Sequence, residues 1–234
     1  MIDHLKKLEM LRGGNAHPPA FLQKLGEIKR WQHQRLTRTY ADLAADPRYA
    51  PAVKFFLDEL YGAGNTSDDT KPSQCALRDR DLIRMYPTIK RVLPTFAFET
   101  VKKALELDVL AEEFDQSLTV LLRGKTVNEA NYVVAFREAG RRADRLRQVD
   151  LMREVGVALE LVVKKPLIYS TLKMLRGPSK LAGMSAMQQF LEAGFTAFKH
   201  MKGADYFLET IATRETELIK RLFSAHPAPF DIFQ

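Results

Sequence analysis

Residues 184–224 read MSAMQQFLEAGFTAFKHMKGADYFLETIATRETELIKRLFS, and this stretch decides the fold class. Large apolar side chains recur in it every three or four residues: Met184, Met187, Leu191, Phe195 and Phe198, then Phe207, Ile211, Leu218 and Leu222. This spacing places the apolar side chains on one face of an α-helix. The stretch therefore predicts two amphipathic helices, at about 184–202 and 205–224.

The same helical period runs through most of the chain. It predicts further helices at about 20–45, 51–62, 95–124 and 127–164, and a short helix after Pro166. No segment of convincing length alternates apolar and polar residues as a half-buried strand does. We therefore predict an all-α fold, a single-domain bundle of seven or eight helices over residues 1–234.

Several segments interrupt the helical pattern. Residues 1–19 are expected to form an N-terminal extension, residues 63–76 a polar loop, and residues 225–234 an extended C-terminal tail. Pro87 and Pro94 predict a segment that is kinked or split, because proline removes a backbone hydrogen bond and clashes with the preceding turn. Thr126 and Glu129 have the spacing of a capping box at the start of the helix at 127–164.

The composition is that of a globular protein, with 46% hydrophobic and 28% charged residues. No apolar run approaches the roughly 18 residues that span a bilayer, and charged residues near the N-terminus do not suit a signal peptide. One cysteine, Cys75, permits no intrachain disulfide. We therefore predict a cytoplasmic protein. Its net charge of +7 weakly favours anionic partners.

One group of candidate residues suits an apolar ligand. Trp31 and His33 flank the apolar stripe of one predicted helix, and Tyr61 ends the stripe of the next. Proline breaks at Pro87 and Pro94 can open space inside a bundle, where an apolar small molecule or a tetrapyrrole would fit. The alternative, which we favour for His33, is a structural side chain with no ligand.

A second group lies in the run Arg78-Asp79-Arg80-Asp81. Arg78 and Asp81 are neighbours on a helix surface and could clamp an anionic ligand or the end of a partner's helix. The alternative, which we favour, is that Asp79 caps a helix while the arginines tie it to the bundle.

The densest basic run contains Arg137, Arg141 and Arg145, which form one row on a helix. Such a row could follow a phosphate backbone or an anionic membrane face. Interleaved acidic residues, such as Asp144, would repel phosphate, and exposed aromatic residues that stack on bases are missing. A solvated face or an electrostatic dimer interface is the favoured alternative.

Familiar catalytic and metal-binding patterns are absent from the sequence. It contains no G-x-S-x-G elbow, no phosphate-binding loop and no Glu-x-x-His pair for a di-iron site. We therefore predict no catalytic residue and no metal site, and we name no cofactor.

Four segments form a recognisable set: FFLDELYG (55–62), RDRDL (78–82), RVLP (91–94) and GFTAFKHMKGA (194–204). Together they resemble an uncharacterised family of proteobacterial helical proteins. The resemblance extends from Trp31 to Phe223, and the sequence departs from the family pattern in its longer, more polar loop before Arg78. It implies a bacterial, cytoplasmic, single-domain protein and carries over no activity.

Three hypotheses for function follow. The first is a non-enzymatic helical binding or interaction protein that self-associates. The second is a bundle that binds an apolar ligand or tetrapyrrole, with redox or enzymatic activity. The third is a peripheral binder of anionic membranes or nucleic acid, which the interleaved acids do not favour.

Overall fold

The computed structural model describes residues 1–12, 17–60, 74–92, 94–174 and 176–231. These residues form α-helices and one π-helical turn, with no strand among them, so the all-α prediction is confirmed. The helices are α1 (Ile2–Arg12), α2 (Pro19–Thr39), α3 (Ala41–Ala45), α4 (Ala50–Phe55), α5 (Gln74–Val92), α6 (Thr95–Leu121), α7 (Glu129–Ala139), α8 (Arg142–Val163), α9 (Pro166–Met174), α10 (Arg176–Leu181), α11 (Ser185–Met201) and α12 (Asp205–Phe223), with the π-helical turn at Phe56–Leu60.

The predicted number of seven or eight helices is too low, because several predicted helices are divided. The helix predicted at 127–164 breaks between α7 and α8, where Gly140 and Arg141 both have positive φ angles of 64° and 59°. Two consecutive residues of this kind cannot continue a right-handed helix. The helix predicted at 20–45 is similarly interrupted at Tyr40.

The start of α7 differs from the predicted capping box. Asn128 is the N-cap residue, and its side-chain oxygen accepts a hydrogen bond of 2.9 Å from the amide of Asn131. The Thr126 carbonyl, rather than its hydroxyl, takes part in the turn by accepting from the Asn131 side chain. Asn is at least as favourable as Thr at an N-cap position. The sequence therefore predicts a capped helix start correctly but names the wrong capping residue.

The two prolines of the predicted kinked segment have different effects. Helix α5 continues through Pro87, whereas Pro94 is the N-cap residue of α6, with a ψ of 149°. The chain is therefore divided at Pro94. The predicted loop at 63–76 lies mostly outside the described residues, and α5 already begins at Gln74.

In the described part of the chain, the core contains three clusters of buried apolar side chains. One joins the end of α2 to α3, α4, α11 and α12; a second joins α2, α6, α7, α8 and α12; a third joins α1, α5 and α6. Helix α1 contributes Leu5 and Leu8 to the third cluster, and neither is exposed to solvent. The N-terminal residues that were predicted to be an extension therefore include a packed helix.

Two glycines allow close contacts between helices. A Cβ on Gly156 of α8 would lie 2.3 Å from Leu208 Cδ2 of α12, and one on Gly194 of α11 would lie 2.9 Å from the ring of Phe55. Both distances are far shorter than a van der Waals contact, so a larger residue would force the Leu208 side chain or the Phe55 ring to shift.

The chain turns away from α12 after Phe223. Ala225 has a φ of 59°, which ends the helix, and the following residues form turns. Phe230 returns to the core, where its ring meets Trp31 edge to face at a centroid distance of 5.5 Å. The residues that follow α12 therefore pack against α2 and α7 through Phe230.

Candidate functional site

Trp31 and His33, the candidates for an apolar ligand, lie two positions apart on α2 in different surroundings. Trp31 belongs to the second apolar cluster, where its ring stacks on Tyr132 at 4.2 Å between centroids. His33 is half-buried, and its carbonyl accepts a hydrogen bond from the Thr37 hydroxyl. Tyr61 lies outside the described residues. The contacts of Trp31 are those of a core side chain.

Arg78 and Asp81 join α5 to its neighbours. Arg78 is buried, and its Nη2 donates a hydrogen bond of 2.9 Å to the Glu59 carbonyl. Its guanidinium carbon lies 4.2 Å from the centre of the Phe190 ring. Asp81 accepts a hydrogen bond of 3.2 Å from the amide of Met187, in the first turn of α11. Both side chains therefore fix the position of α5 against the π-helical turn and α11.

The row Arg137, Arg141 and Arg145 is engaged within the protein. Arg137 Nε donates to the Leu222 carbonyl at 2.5 Å, and Arg141 forms ion pairs with Glu113 and Asp144. Arg145 is buried, with its guanidinium carbon 4.1 Å and 3.8 Å from the ring centres of Phe114 and Phe136. These contacts leave little of the row's charge for an external anion.

A buried ionic cluster, which we call the Arg12 network, lies between α1, α2, α5 and α6. Its members are Arg12, Lys29, Asp79, Asp108, Glu112 and Asp115. Arg12 donates to Asp79 at 2.7 Å and to Glu112 at 3.0 Å, and it also pairs with Asp108. Asp79 therefore binds Arg12 and does not cap α5, which begins five residues earlier at Gln74.

The carboxylates of the Arg12 network have different affinities for protons. Burial raises the pKa of Asp115 to about 6; Lys29, 3.9 Å away, offsets part of this effect, and the charge of Glu112 adds to it. Burial also acts on Glu112, but Lys29 and Arg12 outweigh it and lower the pKa of that carboxyl. Buried carboxyls with perturbed pKa values occur at functional sites and in structural ion-pair networks alike.

The geometry favours the structural role. Every carboxylate of the network has a cationic or amide partner, including Gln32 Nε2, which donates to Asp115 Oδ1 at 3.0 Å. In the described part of the chain, no group of three or more His, Cys, Asp or Glu side chains is arranged to hold a metal ion. The network joins four helices through charge-assisted hydrogen bonds.

The exposed charge lies elsewhere, on a surface that the sequence analysis did not single out. From Lys164 to Lys202 the chain has seven basic residues and one acidic residue, so this segment carries +6 of the net charge of +7. On α5, Asp79 and Asp81 are buried while the basic side chains Arg80, Arg84, Lys90 and Arg91 are exposed. The two acidic side chains of α5 therefore lie inside the protein, while these four basic side chains lie at its surface.

These two groups of basic residues meet. An added Cβ on Gly183, in the turn between α10 and α11, would lie 3.9 Å from Arg84 Nη1 on α5. Lys180 precedes that turn, and its carbonyl accepts the Gly183 amide at 3.1 Å. We call these exposed basic residues together the basic face: Arg80, Arg84, Lys90 and Arg91 on α5 and Lys173, Arg176, Lys180 and Lys199 on α9, α10 and α11. The two groups approach each other at Arg84 and Gly183.

Glu192 is the acidic residue within this segment. Arg176 Nε donates to it at 2.6 Å and Gln188 Nε2 at 2.7 Å, and these hydrogen bonds lower the pKa of the Glu192 carboxyl to about 2. Glu192 therefore neutralises Arg176. Among the described residues, Lys173, Lys180 and Lys199 form no ion pair with a carboxylate.

Two of the helices that carry these lysines, α9 and α11, also carry exposed apolar side chains. Met174, at the end of α9, is 78% exposed, the largest exposed fraction among the large apolar side chains of the described residues. Leu191 on α11 is 41% exposed. A flexible apolar side chain between Lys173 and Arg176 gives this part of the basic face an amphipathic character.

Two surface grooves are formed by the described residues. One, of about 280 Å³, lies between α9 and α11 and is lined by Tyr169, Phe195, Thr196, Lys199 and His200. The other, of about 440 Å³, lies between α8 and α12 and has charged side chains of both signs, among them Arg153, Glu209 and Lys220. Neither groove is lined by Trp31, His33 or Arg78.

The described residues thus define an all-α protein with a buried ionic network and an exposed set of basic residues. The chain belongs to the family described as a domain of unknown function, DUF8198, whose model matches residues 12–229. No curated protein and no solved structure matches the chain significantly. The family covers most of the chain, in agreement with the resemblance to an uncharacterised family, and it adds no activity.

Proposed function

We propose that this protein is a non-enzymatic binding protein that attaches peripherally to anionic phospholipid membranes through the basic face. The observation that supports the proposal most is the coincidence of charge and apolar exposure between Lys164 and Lys202. This segment carries most of the net positive charge and also the exposed Met174. Basic residues around a protruding apolar side chain are the combination that an anionic bilayer surface attracts.

The expected energies are sufficient for reversible attachment. A basic side chain near an anionic bilayer contributes about 1 kcal/mol. Lys173, Lys180 and Lys199, which form no ion pair among the described residues, would thus contribute roughly 3 kcal/mol before any apolar contact. Burial of the Met174 side chain among acyl chains adds up to about 1.5–3 kcal/mol. Among the described residues no helix is long and apolar enough to cross a membrane. The proposed attachment therefore relies on surface contacts alone.

A membrane fits this surface better than a nucleic acid does. Met174 and Leu191 would remain exposed against a phosphate backbone, whereas a bilayer would bury them. Single-stranded nucleic acids are bound largely by stacking of bases on aromatic rings. Tyr169, the aromatic residue nearest to the free lysines, already stacks on Phe195 with a centroid distance of 5.1 Å.

The test is sedimentation of the protein with vesicles of phosphatidylcholine alone and of phosphatidylcholine with phosphatidylglycerol. We expect the protein to bind the anionic vesicles. This binding should weaken as salt is raised from about 50 to about 500 mM, because salt screens the attraction between surface charges. Arg84→Gln with Lys180→Gln removes two charges from the basic face and should weaken binding by about thirtyfold, at about 1 kcal/mol for each.

The matched control is Arg123→Gln with Lys125→Gln. These exposed residues follow the C-terminal end of α6, while Phe96 at the other end of that helix contacts Lys165. Helix α6 has 27 residues, so Arg123 and Lys125 lie about 40 Å from Phe96 and Lys165. The control variant should therefore bind anionic vesicles as the unmodified protein does. Equal losses in both variants, or preference for a single-stranded oligonucleotide over the anionic vesicles, would overturn the proposal.

The other hypotheses have less support from the geometry. An apolar ligand or tetrapyrrole would need space beside Trp31, whose ring is packed between Tyr132 and Phe230. Self-association stays a prediction. A cytoplasmic location, which the sequence predicts, would expose the protein to the anionic lipids of the inner leaflet.

A further inference from the structure

We propose that the groove between α9 and α11 binds a dianionic phosphate monoester, with Lys173 and Lys199 as its cationic ligands. The inference rests on the proposed function and deepens it, because it adds a site for one lipid headgroup phosphate to a general attraction for anionic surfaces. The chemical class of the ligand is a terminal phosphate, which either a lipid headgroup or a soluble metabolite can supply.

The two lysines converge on one aromatic ring. Lys173 Nζ lies 4.4 Å and Lys199 Nζ 5.2 Å from the centre of the Tyr169 ring. Cation–π contacts hold an ammonium group near a ring and leave its hydrogen-bond donors available for an anion. The ring itself is fixed, because it is stacked on Phe195 with an interplanar angle of 12°. Lys199 thus lines the groove itself, and Lys173 contacts the ring that forms one of its walls.

Polar groups of the groove complete the arrangement. Thr196 is exposed within the lining, and its hydroxyl can donate to a phosphate oxygen. His200 closes one side, where its Nε2 is 3.0 Å from the Pro47 carbonyl. A carbonyl can only accept, so this nitrogen carries a hydrogen and the ring orientation is fixed by the hydrogen bond.

The nearby acidic group does not neutralise the groove. Glu192 shares its carboxylate between Arg176 and Gln188, at 2.6 Å and 2.7 Å. Lys173 contributes to the low pKa of Glu192, which shows that the two charges interact. The negative charge of Glu192 therefore reduces the positive potential at Lys173. Lys199 is seven residues, or about two helical turns, from Glu192 along α11. On this argument Lys199 is the stronger of the two ligands.

A phosphate monoester suits two lysines better than a diester does. A monoester carries close to two negative charges above its second pKa of about 6, whereas a diester carries one and has fewer free oxygens. Lysine binds phosphate as a point charge, so a second charge on the ligand strengthens both contacts. The groove should therefore prefer phosphatidic acid to phosphatidylglycerol, and methyl phosphate to dimethyl phosphate.

The experiment has a soluble arm and a vesicle arm, both at pH 7.5 and with the full chain. Calorimetry or NMR titration compares methyl phosphate with dimethyl phosphate. Sedimentation compares vesicles of equal mole fraction of phosphatidic acid and phosphatidylglycerol. Lys199→Gln should weaken methyl phosphate binding by about tenfold or more, as expected for one charge-assisted contact, and should remove the preference for phosphatidic acid.

Lys202→Gln is the matched control, since Lys202 is exposed at the end of α11 and does not line the groove. It should retain the monoester affinity within twofold. Equal binding of the two phosphates, or an unchanged Lys199→Gln variant, would overturn the inference. If salt-sensitive binding to phosphatidylglycerol persists in that case, the proposed function stands without it. Binding of methyl phosphate without any vesicle binding would support the groove, with a soluble ligand, and refute membrane attachment.

Discussion

Arg12 donates a hydrogen bond of 2.7 Å to Asp79, a residue 67 positions further along the chain. The contact joins the last residue of α1 to α5, and the same guanidinium also pairs with Asp108 and Glu112 on α6. Its partners hold the pKa of Arg12 well above the usual value, despite the burial that acts in the opposite direction. Arg12 therefore stays charged and connects three helices.

Arg12→Met should destabilise the protein by about 3–5 kcal/mol, because it leaves buried carboxylates without their counter-charge. The measurement is urea unfolding followed by circular dichroism. Lys6→Met, at an exposed position of the same helix, is the control and should change the free energy of unfolding by less than about 0.5 kcal/mol. A loss below 1 kcal/mol in Arg12→Met would mean that the network contributes little.

Asp115 gives the stability a specific dependence on pH. Its pKa is raised from 3.8 to about 6 in the folded protein, so the folded state binds this proton more tightly than the unfolded state. The resulting stabilisation is fully present below pH 3.8 and is lost as pH rises through about 6. The total change is on the order of 3 kcal/mol.

Asp115→Asn should remove this dependence. The difference in unfolding free energy between the variant and the unmodified protein should grow in favour of the variant from pH 4 to pH 7, by up to about 3 kcal/mol. Asp150→Asn at an exposed position is the control. Taking the difference between proteins cancels the contributions of ionisable groups that do not interact with Asp115. A difference that does not vary with pH would show that Asp115 titrates normally.

Gly156 and Gly177 should differ in their response to alanine. At Gly156 the new Cβ would meet Leu208 at 2.3 Å, so Gly156→Ala should cost about 1–3 kcal/mol through overpacking between α8 and α12. At Gly177 in α10 no atom beyond the adjacent residues lies within 4 Å of the Cβ position, but Pro178 disfavours a helical residue with a Cβ before it, so alanine should change the free energy of unfolding by less than about 0.5 kcal/mol. Thermal unfolding of both variants checks the pair, and a stabilised Gly156→Ala would contradict the observed packing.

The start of α7 distinguishes two capping residues. Asn128→Ala should lose about 1 kcal/mol, because the amide of Asn131 loses its hydrogen-bond acceptor. Thr126→Ala should leave the unfolding free energy within about 0.5 kcal/mol, since the Thr126 carbonyl, which the substitution preserves, makes the contact with Asn131. The reverse order of the two losses would restore the capping box expected from the sequence.

Met174 should matter for membrane attachment and not for folding. Met174→Ser should weaken binding to anionic vesicles by about tenfold, a loss of about 1.4 kcal/mol from apolar contact with the acyl chains. This loss should persist at high salt, because apolar burial is not screened. Val120→Ser, at a 63% exposed position near the far end of α6, should leave vesicle binding unchanged. Equal binding of Met174→Ser and the unmodified protein would exclude insertion at this point.

Local spacing was enough to predict the helices whose apolar stripes are regular. The predicted helices at 184–202 and 205–224 agree with α11 and α12 to within a residue or so, and Pro166 begins α9 as expected. Periodicity did not reveal the break at Gly140 and Arg141, because the apolar positions continue through it. Hydrophobic periodicity is averaged over several helical turns, so it does not detect an unusual backbone conformation at two residues.

The sequence by itself determined the all-α fold, since 3.6-residue periodicity is a local property of the chain. It also fixed the net charge, but not where that charge lies. Burial of Asp79 and Asp81 leaves α5 with a basic exterior, while the conspicuous Arg137, Arg141 and Arg145 are engaged within the fold. Whether a charge meets a counter-charge or solvent depends on residues far away in sequence, and only the tertiary structure decides which of them are neighbours.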